Sequence, residues 1–520
     1  FISSTTTDAT PGPTLGNYSF TSLAAGTYFV VVDSQTMDAP SAGLHSAAFN
    51  TGVWAEQTYG GVGSYCADGA GGTTLTVAAG TCYGGRRGDV SDANTDAGTA
   101  EHVTRVVLSA VTTEVDMGLS FNVFVNTSVA TAGSVNTTRS EQGSLDQAIR
   151  NSSNIIGPNA LRFVPTVATN ASGAGGSWWS IDYDNIGTEE EPHRIEDKDT
   201  ILDGTAFDLA DGITPRDTNT GFLGSNAGGS VTVGVSNSAL PQVEKPELEI
   251  IGRLQLRSFA ATRSPENAII RDLAIWGNVS NALIDIAHSA ALPAPNIVIE
   301  NIVAGSRPDV FADAGGGSSR AIWTRAPVEN GTVRNSLIGF QGSTPAMLQL
   351  DPGWVVEYNE FAGDRVGIYT SEGNLHVHHN LFNGVSGNIV GGPSPQPFEE
   401  NTLSNSTGGA LTLISDGHTV ERNIFENGAG FGVGVSHDQG PPTPAHDNLI
   451  TDNIFTNNGS VAIDLYDSVS GEDGVTPNDG TTTIGSGNQA MDYPVIDGAT
   501  IISGDLVVTG FARAGATIEF

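Results

Sequence analysis

Basic residues are scarce. Lys198 and Lys245 are the only lysines, and 21 Lys+Arg stand against 57 Asp+Glu, a formal net charge of −36. Nucleic-acid binding needs clustered cationic side chains, so DNA and RNA are excluded as partners. An anionic membrane surface is excluded on the same ground. No apolar run approaches 18 residues, so no segment reads as a membrane-spanning helix. Charged residues make up only 15% of the chain, so the acidity comes from missing cations more than from abundant anions. Cysteine is reduced to Cys66 and Cys82, flanked by Tyr65-Cys66-Ala67-Asp68 and Thr81-Cys82-Tyr83-Gly84. Such polar flanks read as exposed loop, where two nearby thiols pair. The expected bridge closes a small loop, stabilises by roughly 3 kcal/mol and points to export.

What the chain has instead is glycine, 66 residues of it, and short apolar runs between turn residues. Over residues 1–126 the runs Tyr18-Ser19-Phe20-Thr21, Thr27-Tyr28-Phe29-Val30-Val31-Val32 and Thr74-Leu75-Thr76-Val77 alternate with period two, which predicts antiparallel strands of a sandwich. The stretch Gly16-Asn17-Tyr18-Ser19-Phe20-Thr21-Ser22-Leu23-Ala24-Ala25-Gly26-Thr27-Tyr28 resembles the Cna-B-like (Ig-like) modules of bacterial surface adhesins. The resemblance implies an Ig-like sandwich, incomplete at its start. Those modules often carry a Lys–Asn cross-link, which residues 1–126 cannot form without a lysine.

Residues 127–154 read as a linker and one capped helix: Ser144 is the cap, and Leu145, Ala148 and Ile149 follow at helical spacing. With Leu161-Arg162-Phe163-Val164-Pro165 this segment resembles the entry to β-helix domains of large bacterial surface proteins, where a short helix covers the open end of a coil stack.

From about 265 to 467 a repeat appears. Arg334-Asn335-Ser336-Leu337, Tyr358-Asn359-Glu360-Phe361, His379-Asn380-Leu381-Phe382, Glu400-Asn401-Thr402-Leu403, Arg422-Asn423-Ile424-Phe425 and Asp452-Asn453-Ile454-Phe455 place their asparagines 24, 21, 21, 22 and 30 residues apart. Each is followed by a second short apolar run. Coils of this length with several strands predict a right-handed parallel β-helix over 155–490. A leucine-rich repeat would need a leucine frame and helices, and a propeller would need blades of about 40 residues. Asn335, Asn359, Asn380, Asn401, Asn423 and Asn453 are expected to align as a ladder at one turn. Phe361, Phe382, Phe425 and Phe455 are expected to stack inside. Residues 155–264 read as early coils interrupted by loops. Residues 491–520 read as strands of a further sandwich, and the whole as all-β.

Chemistry is harder to find. His376 and His378 of His376-Val377-His378-His379 share a strand face, but spacing assigns no third metal ligand. Asp473, Asn478 and Asp479 sit in a Gly-bounded loop with hard oxygen donors, which suits Ca²⁺ without matching an EF-hand; Asp89 to Asp96 is a weaker loop of the same kind. No other cofactor is called for. Many β-helix proteins cleave polysaccharides, yet no Asp-Asp pair occurs and nothing in the sequence groups Arg320, Arg325, Arg334 and Arg365. The reading is therefore a non-enzymatic extracellular, cell-surface structural or adhesive protein, a stalk or filament subunit. The alternative is a polysaccharide lyase, hydrolase or glycan-binding β-helix. Expected partners are further copies of the chain or other surface proteins, with glycans under the alternative. Ala516, Ile518 and Phe520 are expected either to form the strand that one subunit adds to the sandwich of the next, or to belong to a further module of a longer multidomain chain.

Overall fold

A computed structural model describes all residues except 1, 8–15, 39–51, 93–97, 110–113, 130–139, 184–193, 259–262, 280, 288–291, 293, 316–319, 326–328, 342–344, 349–352, 364–365, 371–372, 393–395, 437–444, 467–474, 477, 482–485 and 520. Strand accounts for 41% and helix for 4%, so the protein is all-β. Two compact units divide it: residues 1–155 with 162–168 and 206–216, and residues 156–161 with 169–205 and 217–520.

The first unit is built from short antiparallel pairings. Gly26–Val32 pairs with His102–Leu108, Glu56–Gly60 lies between Gly80–Thr81 and Met117–Ser120, and Tyr65–Ala67 pairs with Thr73–Leu75. The expected strand at Tyr18 to Thr21 is not paired; the Tyr18 hydroxyl donates to the Val115 carbonyl instead. The helix Leu145–Asn154 is capped by Ser144, whose Oγ accepts the Gln147 N–H at 3.1 Å. It buries Leu145, Ala148 and Ile149 together with polar groups: Asn151 Nδ2 donates to the carbonyls of Trp54 at 2.8 Å and Phe121 at 2.9 Å, so the helix is fastened within this unit.

The second unit is a parallel β-helix. Among the described residues its first sheet holds 11 strands, ending in the run Glu360–Ala362, Leu381–Asn383, Thr402–Ser404, Ile424–Glu426 and Ile454–Thr456. Among the described residues its second sheet holds 10, from Arg194–Ile195 to Ile463–Leu465; the third includes the strands from Thr200–Ala206 to Leu449–Thr451. Each coil visits the third, first and second sheets in turn.

The corners explain the composition. After each third-sheet strand one residue takes a left-handed backbone, at Asp272, Asn301, Asn335, Tyr358, His379, Glu400, Arg422 and Asp452, with φ from 50° to 57°. A second such column follows the first sheet (Gly384, Asn405, Asn427, Asn457), and a third precedes the third sheet (Asn267, Asn296, Asn330, Asn374). Gly, Asn and Asp are the residues that occupy this region at least cost, so a chain with three such bends per coil is rich in them.

The residue after the first bend points inward and meets buried backbone. Asn359, Asn380, Asn401 and Asn423 are all fully buried. Each side-chain Oδ1 accepts from the preceding rung: Asn359 N–H to Asn380 at 3.0 Å, Asn380 to Asn401 at 3.0 Å, Asn401 to Asn423 at 2.9 Å and Asn423 to Asn453 at 2.9 Å. Each Nδ2 also reaches the next Oδ1 at 3.0 Å. Asn335 is not a rung. Arg334 is in register with Glu357 and Leu337 with Glu360, which puts Asn335 level with Tyr358 in the bend and Ser336 level with Asn359. Ser336 holds the rung position, its N–H donating to Asn359 Oδ1 at 3.1 Å. Aligning asparagine on asparagine slipped that coil by one residue.

Inside, Ile338, Phe361, Phe382, Leu403, Phe425 and Phe455 stand in register. Phe361 and Phe382 stack at 4.8 Å, Phe425 and Phe455 at 4.9 Å, both with planes 9° apart, and Leu403 separates the two pairs. This spacing is that of neighbouring strands.

Outside, residues 217–247 form a strap along the first sheet. Leu223 and Val243 pack on Ala274, Val303 and Leu337, while Val233 and Leu240 pack on Leu381. Glu360 accepts from Ser225 N–H at 2.7 Å and its hydroxyl at 2.6 Å; Glu400 accepts the corresponding pair from Ser236 at 2.9 and 3.0 Å.

Candidate functional site

Chemistry-bearing side chains gather at the bend after the third sheet. In four successive coils the left-handed position is held by Tyr358, His379, Glu400 and Arg422. Such a backbone costs these side chains roughly 1–2 kcal/mol each, and strained positions of this kind cluster at functional sites. Beside them on the outer face of the third sheet, Glu357, His378, Glu399 and Glu421 stand in register.

His376 Nε2 lies 2.6 Å from Glu399, His378 Nε2 3.5 Å from Glu357, and the Nδ1 atoms of His378 and His379 are 2.8 Å apart. The Tyr358 ring stacks on His379 at 4.9 Å. Burial, with the neighbouring imidazoles, pushes His378 down to about 4, so it is neutral at pH 7 despite its glutamate. Burial would raise Glu400, but hydrogen bonds from Ser236 and Arg422 outweigh it and hold the carboxyl below the usual range. The same outer row continues as ion pairs between coils, Arg271 to Asp203 at 2.7 Å and Arg334 to Glu300 at 2.6 Å. His378 thus occupies the place that arginine takes in earlier coils. Among the described residues no three His, Cys, Asp or Glu side chains are arranged to hold a metal ion.

The other expected sites are placed as follows. Cys66 and Cys82 are joined by a disulfide, with Cα atoms 5.0 Å apart. Asp473 lies outside the described residues. Asn478 Nδ2 donates to the Tyr493 carbonyl at 2.9 Å, which ties it to a distant segment, and Asp479 Oδ1 accepts from Thr481 N–H at 2.8 Å and its hydroxyl at 2.7 Å, which closes a local turn. Phe520 also lies outside. Ala516 and Ile518 are in no strand, because Gly515, at φ 85°, and the Ala516 N–H to Arg513 carbonyl bond turn the chain there. The paired C-terminal strands are Val495–Ile502 and Asp505–Phe511.

Two groupings escaped the sequence reading. Arg194, Arg257 and Arg263 surround Glu196, with Arg263 at 3.2 Å and Arg253 near Arg194, close to the row in which Gln255, Asp285 and Trp323 are in register on the second sheet. Arg320 lies 4.4 Å over Trp323. In the first unit Glu56, Asp92, Glu101 and His102 are buried together. Burial raises Glu56 to about 8 and Glu101 to about 9, and lowers His102 to about 4. Neither set is contiguous in sequence.

Residues 319–487 match the family model described as periplasmic copper-binding protein (NosD). This is less than half of the chain, and it covers the later coils with the His376–Glu399 corner. Among solved structures, one titled Geobacillus virus E2 ORF18 aligns at TM-score 0.37 and 10% identity, covering 70% of this chain and 64% of that one. Another, titled Crystal structure of Agl-KA catalytic domain, aligns at TM-score 0.17 and 9% identity over 81% and 86%. This chain therefore spans 64% of the viral protein's length.

Proposed function

We propose that the chain is a non-enzymatic extracellular structural or adhesive protein, a surface stalk or head-to-tail filament subunit. The observation that carries this reading is how the polar groups of the coils are used. The inner asparagines bond coil to coil, while outside Asp203, Glu300, Glu360 and Glu400 tie arginines of neighbouring coils or the strap to the stack. Such groups resist separation of coils. Self-association is supported by the hairpin Val495–Ile502 and Asp505–Phe511, which exposes Ile496, Ile501, Ile502, Leu506 and Phe511; exposed apolar strands invite pairing with another chain. Sedimentation velocity and electron microscopy test this. Concentration-dependent oligomers that vanish in Ile501→Asp with Leu506→Asp support it, and a monomer at every concentration overturns it.

A second reading, glycan binding on the second sheet, is favoured by Arg320 over Trp323 beside the arginines around Glu196. Copper, named in the description of the matching family, does not fit the described residues: His376, His378 and His379 lie together, but their donor atoms and those of the neighbouring carboxylates are not arranged to hold one ion.

A further inference from the structure

The first unit contains a cleft of about 810 Å³ between the Gly26–Val32 and His102–Leu108 pair and the segments 16–25 and 114–116. Tyr18, Phe20 and Tyr28 line it together with Glu114 and Asp116, and no Lys, Arg or His is among the described residues that line it. The Tyr28 hydroxyl donates to the Ala24 carbonyl at 2.7 Å and the Tyr18 hydroxyl to Val115, so the backbone takes both hydroxyls and the rings remain as lining. Tyr18 and Phe20 meet edge to face, 6.0 Å apart at 72°, which makes a corner of two differently oriented rings.

Aromatic faces attract cations through their quadrupole, and carboxylates at the same opening add attraction of the same sign. A net charge of −36 reinforces both. We propose that this cleft binds an organic ammonium group, with Tyr18, Phe20 and Tyr28 against the cation and Glu114 and Asp116 as its counter-charges. An anion is repelled by the two carboxylates, and a neutral apolar group gains nothing from them.

The test is calorimetric titration of the whole chain with choline, with N-acetyl-lysine methylamide, and with 3,3-dimethylbutanol, the uncharged counterpart of choline. Saturable binding of either cation, at least about tenfold tighter than that of the alcohol, is expected from the charge-dependent part of the attraction. Choline alone would indicate a quaternary headgroup; the lysine derivative alone would indicate a primary amine. Asp116→Asn and Tyr28→Leu should each weaken binding several-fold. Glu114, an exposed residue at the rim, provides the variant Glu114→Gln, which keeps the fold and should also weaken binding. Equal affinity for the alcohol, no saturable binding of either cation, or binding indifferent to Glu114→Gln overturns the proposal.

Discussion

Replacing one rung of the asparagine ladder should damage the stack far more than replacing its neighbour in the bend. In Asn401→Ala the Asn380 N–H loses its acceptor at 3.0 Å, and the carbonyls of Val377 at 3.0 Å and Glu399 at 2.9 Å each lose a donor. Asn401 is fully buried, so water does not replace these bonds. An orphaned buried group costs roughly 1–3 kcal/mol, and one certain donor plus two weakened acceptors gives a loss of about 3 kcal/mol. Asn335 sits in the bend at φ 50°, a backbone glycine adopts freely, so Asn335→Gly should change stability by less than about 1 kcal/mol. Urea unfolding gives the totals. Amide hydrogen exchange gives the location: in Asn401→Ala the Asn380 N–H should lose protection ahead of Asn423, whose acceptor, Asn453, is intact. Equal losses for the two variants, or an unchanged Asn380 amide, would refute the ladder as a source of stability.

The first unit should be weakened by alkali. Glu56 and Glu101, raised from 4.5 to about 8 and about 9 chiefly by burial, bind protons more tightly folded than unfolded. Their contribution is complete below pH 4.5 and is lost as pH rises through 8 to 9. Thermal scans between pH 6 and 10 should show a falling midpoint that Glu56→Gln with Glu101→Gln flattens; a midpoint rising with pH contradicts this. Breaking the Cys66–Cys82 bridge as the double serine variant should cost about 3 kcal/mol by the loop-entropy relation, measured as a shift in urea midpoint. An unchanged midpoint would show that the loop is held by other contacts.

The coil repeat was legible because its signal is local: a bend residue, an inward asparagine and an apolar strand recur within a few positions. Its register at Asn335 was not, since Asn is equally at home in the left-handed bend and on the rung, and only pairing of Leu337 with Glu360 tells them apart. The strap escaped notice because its weak strands, Phe222–Leu223 and Thr232–Val233, acquire meaning from Leu337 and Leu381, more than a hundred residues away. The arginines around Glu196 and the carboxylates around His102 likewise meet only through folding.

The most direct test of a non-catalytic stalk is incubation of the whole chain with pectin, alginate and related polymers, with and without Ca²⁺. New reducing ends and unsaturated ends are measured. The account predicts neither above a blank. Turnover that disappears in Glu357→Gln or Glu399→Gln would contradict it, and would make the His376–His378 corner a catalytic centre.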